Sequence, residues 1–205
     1  RFEGLILGHL PVLASAWVHQ YARHTAAQHH APVALLKLRG GECSLELIGV
    51  DHPGEVRPAV QLAPTLDIAA ELAADRARIW LIRVDDIAEP HLAEMDALDT
   101  ITLLTGAHEA AVVASYRTIK QLFKPAGEDR EDGPEVGLAI MGAGEDRAAD
   151  ARHKLERAAE TFLGRQVDVS ACVAKIGPGR STMLFRGPLT LDAISILERL
   201  IPTVR

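Results

Sequence analysis

Cysteine is nearly missing from this chain, and the two that occur, Cys43 and Cys172, stand alone with neither in a C-x-x-C pair. Metal and redox sites need clustered ligands, so both read as small buried hydrophobes, a usage that fits a reducing compartment. Aromatic residues make up only 4% of the sequence. The core therefore has to be assembled from Ala, Val, Leu and Ile, which suits helices packed on a parallel sheet. No apolar run is long enough to span a membrane, and no signal peptide is visible. Positive charge is not in excess: the formal net charge is −6, which excludes a chain-wide electrostatic footprint for nucleic acid. These absences together imply a cytoplasmic protein. The numbering starts at Arg1 rather than Met, so targeting information, including a peripheral membrane attachment, can lie in segments outside this sequence.

What is present is apolar material in quantity. Of 205 residues, 48% are hydrophobic and 24% charged, enough for one well-buried core and a single domain over 1–205. Short apolar runs predict strands over Phe2–Leu7, Val33–Leu38, Ser44–Val50, Ile79–Val84, Thr100–Thr105, Val136–Met141, Val167–Val173 and Met183–Phe185. Helical spacing predicts helices from Val12 to about Gln28, Leu66–Asp75 behind an N-cap at Thr65, Glu109–Phe123, Glu145–Leu163 with a C-cap at Gly164, and Leu191–Ile201. A short helix opens at Pro90. The expected inward faces carry Ile68, Ala69 and Leu72; Val112, Tyr116, Ile119 and Phe123; Ala148, Ala151, Leu155, Ala158 and Phe162; and Leu191, Ile194, Leu197 and Ile201. Strands alternating with helices, most of the strands continuously apolar, argue for an α/β fold with a mostly parallel sheet and helices on both faces. Two loops stand out, a Pro-containing stretch from Asp51 to Pro64 and an acidic, solvated one from Gly127 to Glu135.

In open α/β sheets ligands gather at the carboxyl ends of strands, so the first strand-to-helix turn is the first place to look for chemistry. It reads Gly8-His9-Leu10-Pro11-Val12-Leu13-Ala14-Ser15. A working phosphate loop needs G-x-x-x-x-G-K-[ST]: glycines let amides curl round the phosphates, Lys neutralises charge, and the hydroxyl holds magnesium. Gly8 and Ser15 occupy the ends of that frame, but Leu13 stands in place of Gly and Ala14 in place of Lys. Pro11 removes a donor and fixes φ, which works against a nest of amides. A charge-assisted hydrogen bond contributes about 1.5–3 kcal/mol, so losing the Lys weakens phosphate binding by about tenfold to a hundredfold. Phosphoryl transfer, which depends on positioning and electrostatics, suffers more.

The stretch Leu103 to Lys120, reading LLTGAHEAAVVASYRTIK, resembles the strand–turn–helix of MinD and FlhG ATPases. There a pattern close to T-T-P-E-P-T-A-I-T-D-A-Y-x-x-I-K is found, matched here by Thr105, Ala111, Tyr116, Ile119 and Lys120. Ala158 to Gly164, AAETFLG, is similar to that family's helix ending in Phe-Leu-Gly, and the order of elements is similar along nearly the whole chain. The resemblance implies the SIMIBI class of P-loop folds, a three-layer sandwich with a seven- or eight-stranded sheet. It also implies ATP held between two subunits, and a dimer that binds membrane, DNA or protein.

The departures fall where that family keeps its chemistry. Its signature Lys at the second loop position is His9 here, and its phosphate-holding Lys is Ala14. Its magnesium-side Asp aligns with Arg83, so that Asp85 and Asp86 can serve only in a shifted register. Its adenine-reading Asn falls near Met141, and the acid two before its Tyr is Ala114. The expected protein is thus a MinD/ParA/FlhG relative without hydrolysis, which binds no cofactor and works through protein partners or a homodimer. It would act as a scaffold or regulator in cell division, flagellar placement or cargo positioning. The alternative is an active or nucleotide-binding ATPase that uses ATP and magnesium with His9, Ser15 and Asp85 or Asp86 in the missing roles. A third reading has Leu10, Val12 and Leu13 lining a repurposed pocket or a subunit interface.

Other constellations point to plain structure. His19, His24, His29 and His30 lack the i, i+4 pairing and companion ligands of a zinc site, and read as exposed polar residues near a helix end. Gly177-Pro178-Gly179-Arg180-Ser181-Thr182 reads as a turn between strands. The last helix lacks the Lys/Arg-rich polar face of a membrane-surface helix and is expected to pack on the core.

Overall fold

The computed structural model describes residues 1–8, 14–49, 62–84, 88–122, 134–164, 167–173, 175 and 181–205. Along the chain run β1 (Phe2–Leu7), α1 (Ala14–His29), β2 (Val33–Arg39), β3 (Glu42–Ile48), α2 (Leu66–Ala74), β4 (Ile79–Val84) and α3 (Glu89–Leu92). Then follow β5 (Thr100–Thr105), α4 (Glu109–Leu122), β6 (Glu135–Met141), α5 (Glu145–Leu163), β7 (Asp168–Val173), β8 (Ser181–Pro188) and α6 (Ala193–Val204). The fold is α/β, with parallel strand pairing predominant. The chain divides into two compact, interleaved units: Arg1–Glu3, Ala22–Glu89 and Pro178–Arg205 form the first, Gly4–Tyr21 and Pro90–Gly177 the second.

The first unit orders its strands β4-β2-β3-β8. β2 runs parallel to β4, Val33 opposite Ile79 through Leu38 opposite Val84. It then returns as an antiparallel hairpin into β3. The two hairpin residues, Gly40 and Gly41, have φ of 62° and 76°, the left-handed pair that a tight hairpin needs and that glycine adopts without steric cost. β3 pairs antiparallel with β8 across a bulge at Leu45/Glu46. Helix α2 starts as its sequence predicts, with the Thr65 hydroxyl accepting from the Ile68 amide, but its inward face is different. Leu66, Ala69, Ala70 and Ala73 are buried, whereas Ile68 and Leu72 are each 43% exposed. Small side chains let this helix lie close to β3 and β8, and the larger ones are left outside. Helix α6 is core-packed, through Ala193, Ile196, Leu197, Leu200 and Ile201. Leu191 lies before its first turn and is exposed, because the Asp192 carboxylate caps the Ser195 amide and starts the helix there.

The second unit orders its strands β7-β6-β5-β1. β5 and β6 are parallel with Thr100 opposite Glu135, and β6 and β7 are parallel with Gly137 opposite Asp168. Every residue of β5 is buried, as a strand covered on both faces requires. Helix α4 buries Ala111, Ser115, Ile119 and Leu122; Ile119 faces inward as expected, whereas Ala111 and Ser115 take the places expected of Val112 and Tyr116, which are only half-buried. Phe123 and Pro125 lie outside the described residues. Helix α5 has the predicted limits and ends at Gly164 with φ 60°. It buries Ala148, Ala151, Leu155 and Ala159, but Phe162 is 72% exposed.

Candidate functional site

The second unit carries a cleft of about 760 Å³ where β5 and β6 end and α4 and α5 begin. That is the size of an ordinary small-molecule pocket, at the strand ends where α/β sheets place their ligands. Gly142 makes the turn out of β6 at φ 72°, its amide donating to the Val173 carbonyl at 2.7 Å. Trp17 from α1 lies against it so closely that a Cβ at Gly142 would stand 3.0 Å from Cζ2 of the indole. Glycine is fixed there twice, by backbone and by neighbour. Beneath the floor, Ile140, Ala143, Ala148 and Ala151 form a small apolar cluster with Ala107 and Val112 packed on it. On the other wall the His108 Nδ1 accepts the Ala111 amide at 3.2 Å and caps α4. Gly144 caps α5 through extended backbone alone.

The lining is acidic. Glu109, Glu145, Asp146 and Asp150 face the cleft against Arg147 and Lys154. Lys154 is already bound to Asp150 at 2.7 Å. That hydrogen bond first, then attraction to Asp150 and Glu109, raises the ammonium pKa above the ordinary lysine value. Acids in the first turns of α4 and α5 suit the positive ends of those helices. An acidic lining of this kind disfavours polyanions. Among the described residues no group of three or more His, Cys, Asp or Glu could hold a metal ion.

Of the residues singled out in the sequence, Met141 lines the cleft, and Gly8, Ser15 and Arg83 are not among its lining residues. Gly8 ends β1, and its amide donates to the Leu104 carbonyl at 2.8 Å. A Cβ there would meet that same oxygen at 3.1 Å and the Ser115 Oγ at 3.3 Å, so close approach to β5 accounts for the glycine. Just below, the buried Ser115 hydroxyl donates to the Thr105 Oγ1 at 2.5 Å. Ser15 is exposed in the first turn of α1, its carbonyl 3.1 Å from the His19 Nδ1. His9, Leu10, Pro11, Val12 and Leu13, the pair Asp85 and Asp86, and Gly177 to Arg180 all lie outside the described residues. So do 127–133 of the acidic loop and 51–61 of the Pro-containing one.

Arg83, near the end of β4, is 2% exposed, with Nη1 2.5 Å from a Glu89 carboxylate oxygen. Lys37 of β2, opposite Arg83 in the parallel register, is in turn bound to Glu46 of β3. These described residues do not fit a magnesium–triphosphate group. Gly8 gives its amide to the sheet, and Arg83, a cation paired with Glu89, is no ligand for magnesium.

Cys43 is buried, and desolvation pushes its thiol up to about 11. Cys172 lies on β7 opposite Ile140. Among the histidines, His29 and His30 are exposed, but His24 is half-buried, and burial lowers its pKa. The cleft escaped sequence reasoning, although Gly106 and Gly142 each directly follow a strand, the signal that could have found it. What fold and site together define is an α/β protein with an open acidic cleft at its strand ends. No protein-family model matches the chain, and no curated protein matches it.

Proposed function

We propose that this chain is a non-catalytic MinD/FlhG/ParA-like protein, a P-loop NTPase-like three-layer sandwich with helices on both faces of its sheet. It acts in the cytoplasm, through protein partners and as a homodimer, as a scaffold or regulator of cell division, flagellar placement or cargo positioning. One observation carries the reading: where that family needs a free carboxylate beside magnesium, Arg83 is buried and ion-paired with Glu89. The acidic cleft lining and the engaged Gly8 amide support it, since triphosphate needs cations and open amides. Calorimetric titration with ATP and ADP in magnesium tests it. Binding weaker than roughly 10 μM, about −7 kcal/mol, with no turnover above background, is expected. Tighter binding, or turnover lost on Ser15→Ala, would establish the ATPase alternative instead. Mass measurement across a concentration series tests the homodimer.

A further inference from the structure

We infer that the outer face of α4 and α5 around Phe162 docks an acidic amphipathic helix of a partner protein. This rests on the reading of the chain as a partner-binding protein and names the chemistry of one partner. The chain has four Phe, two Tyr and two Trp, and most large apolar side chains are buried. Among the exposed large hydrophobics of the described residues Phe162 is the most exposed, at 72%, near the end of α5. Its ring meets Tyr116 of α4 edge-on, with centroids 6.1 Å apart and planes at 69°. On α4 the positions Val113, Tyr116, Arg117 and Lys120 follow i, i+3, i+4, i+7 and so share one helix face. Val113 is 47% exposed, and Arg117 and Lys120 are exposed. Neither cation is ion-paired with another described residue. The nearest acid on that face, Glu109, lies a turn before Val113, at the cleft, where it attracts Lys154.

An aromatic anchor flanked by two cations that pair with no other described residue fits a helix that presents an apolar stripe beside Glu or Asp. An anionic membrane is disfavoured by the net charge of −6, and by a patch with only two cations, each worth little at a lipid surface. An aromatic ring left largely in water, as Phe162 is, is also the kind of side chain that dominates binding at interface centres.

The test uses the full chain and two fluorescent 18-residue helical peptides with the same Leu/Phe stripe. One peptide has a Glu polar face and the other a Lys polar face. Anisotropy should show the Glu peptide bound, weakened by added salt, and the Lys peptide not. Phe162→Ala should weaken binding about tenfold, and the double change Arg117→Glu, Lys120→Glu should abolish it or transfer it to the Lys peptide. All three sites are exposed, so far-UV circular dichroism should be unchanged. Equal binding of both peptides, no binding of the Glu peptide, or an unaffected Phe162→Ala variant overturns the inference. Binding to phosphatidylserine vesicles without binding to the Glu peptide overturns it in favour of a membrane. ATP titration of the same samples reads the proposed function separately: a positive result there leaves the peptide result standing, and the reverse holds.

Discussion

The two units handle polar groups in opposite ways. The first draws charge into its sheet and neutralises it there, Arg83 on Glu89 and Lys37 on Glu46, with Arg83 and Glu46 among its buried residues. The second buries a pair of uncharged hydroxyls on β5 and α4, Ser115 on Thr105, and has charges at the lip of an open cleft. Ion pairs sealed in a strand layer have little freedom to meet a ligand, because each partner already satisfies the other and removal from water is costly. Charges around an open cleft retain that freedom. The difference teaches where to look: the charged strand ends of the first unit are architecture, and the strand ends of the second are available for recognition.

The strongest challenge to this contrast is Glu89→Ala, which strips Arg83 of its carboxylate. A loss of about 3 kcal/mol is expected, read as a lower denaturation midpoint, and the double change Arg83→Met, Glu89→Leu should recover most of it. If the single variant is as stable as the parent, the pair is not structural. Next in size is Gly142→Ala, with a left-handed backbone and the Trp17 ring in the way. It should cost about 1–2 kcal/mol and shift Trp17 fluorescence. A silent substitution would mean the cleft wall is not the fixed surface described above. Ser115→Ala removes one neutral buried hydrogen bond and should cost about 1 kcal/mol. A much larger loss would erase the distinction between ionic and hydroxyl interiors.

The smallest expected effect is a pH slope from His24 in the first unit. Burial lowers its pKa when folded, so the folded state resists a proton that the unfolded chain accepts. Stability is then full above the ordinary histidine value of about 6.5 and declines as pH falls from there through the lowered folded value. Thermal melts between about pH 7 and 5 should show this decline, and His24→Gln should flatten it. A parent and variant with the same slope would assign the acid sensitivity elsewhere.

Much of the backbone was legible because one-dimensional signals governed it. β1, β4 and β5 are mostly apolar runs and have the expected limits. Helix α5 does too, since its 3.6-residue spacing ends at a glycine that takes the left-handed cap. Faces were less legible. Hydrophobic size pointed Ile68 and Leu72 inward, but close packing on β3 and β8 selected Ala69, Ala70 and Ala73. Phe162 was in phase with the buried stripe, yet it sits in the last turn, where its outlet is Tyr116 rather than the core. The vestigial phosphate frame was read from Gly8 and Ser15, and for Gly8 the structure supplies a packing reason that no spacing rule encodes.

By itself, then, the sequence determined which segments are strands and helices and that alanine and aliphatic side chains would fill the interior. Periodicity, capping and residue identity act over a few neighbours along the chain, so they are legible there. Tertiary structure alone decided that Arg83 meets Glu89, that Trp17 closes on Gly142, and that acids from two helix starts share one cleft with Lys154. Arg83 and Glu89 are six residues apart and Trp17 and Gly142 far more, but in each case the distance is set only when strands pair and helices dock.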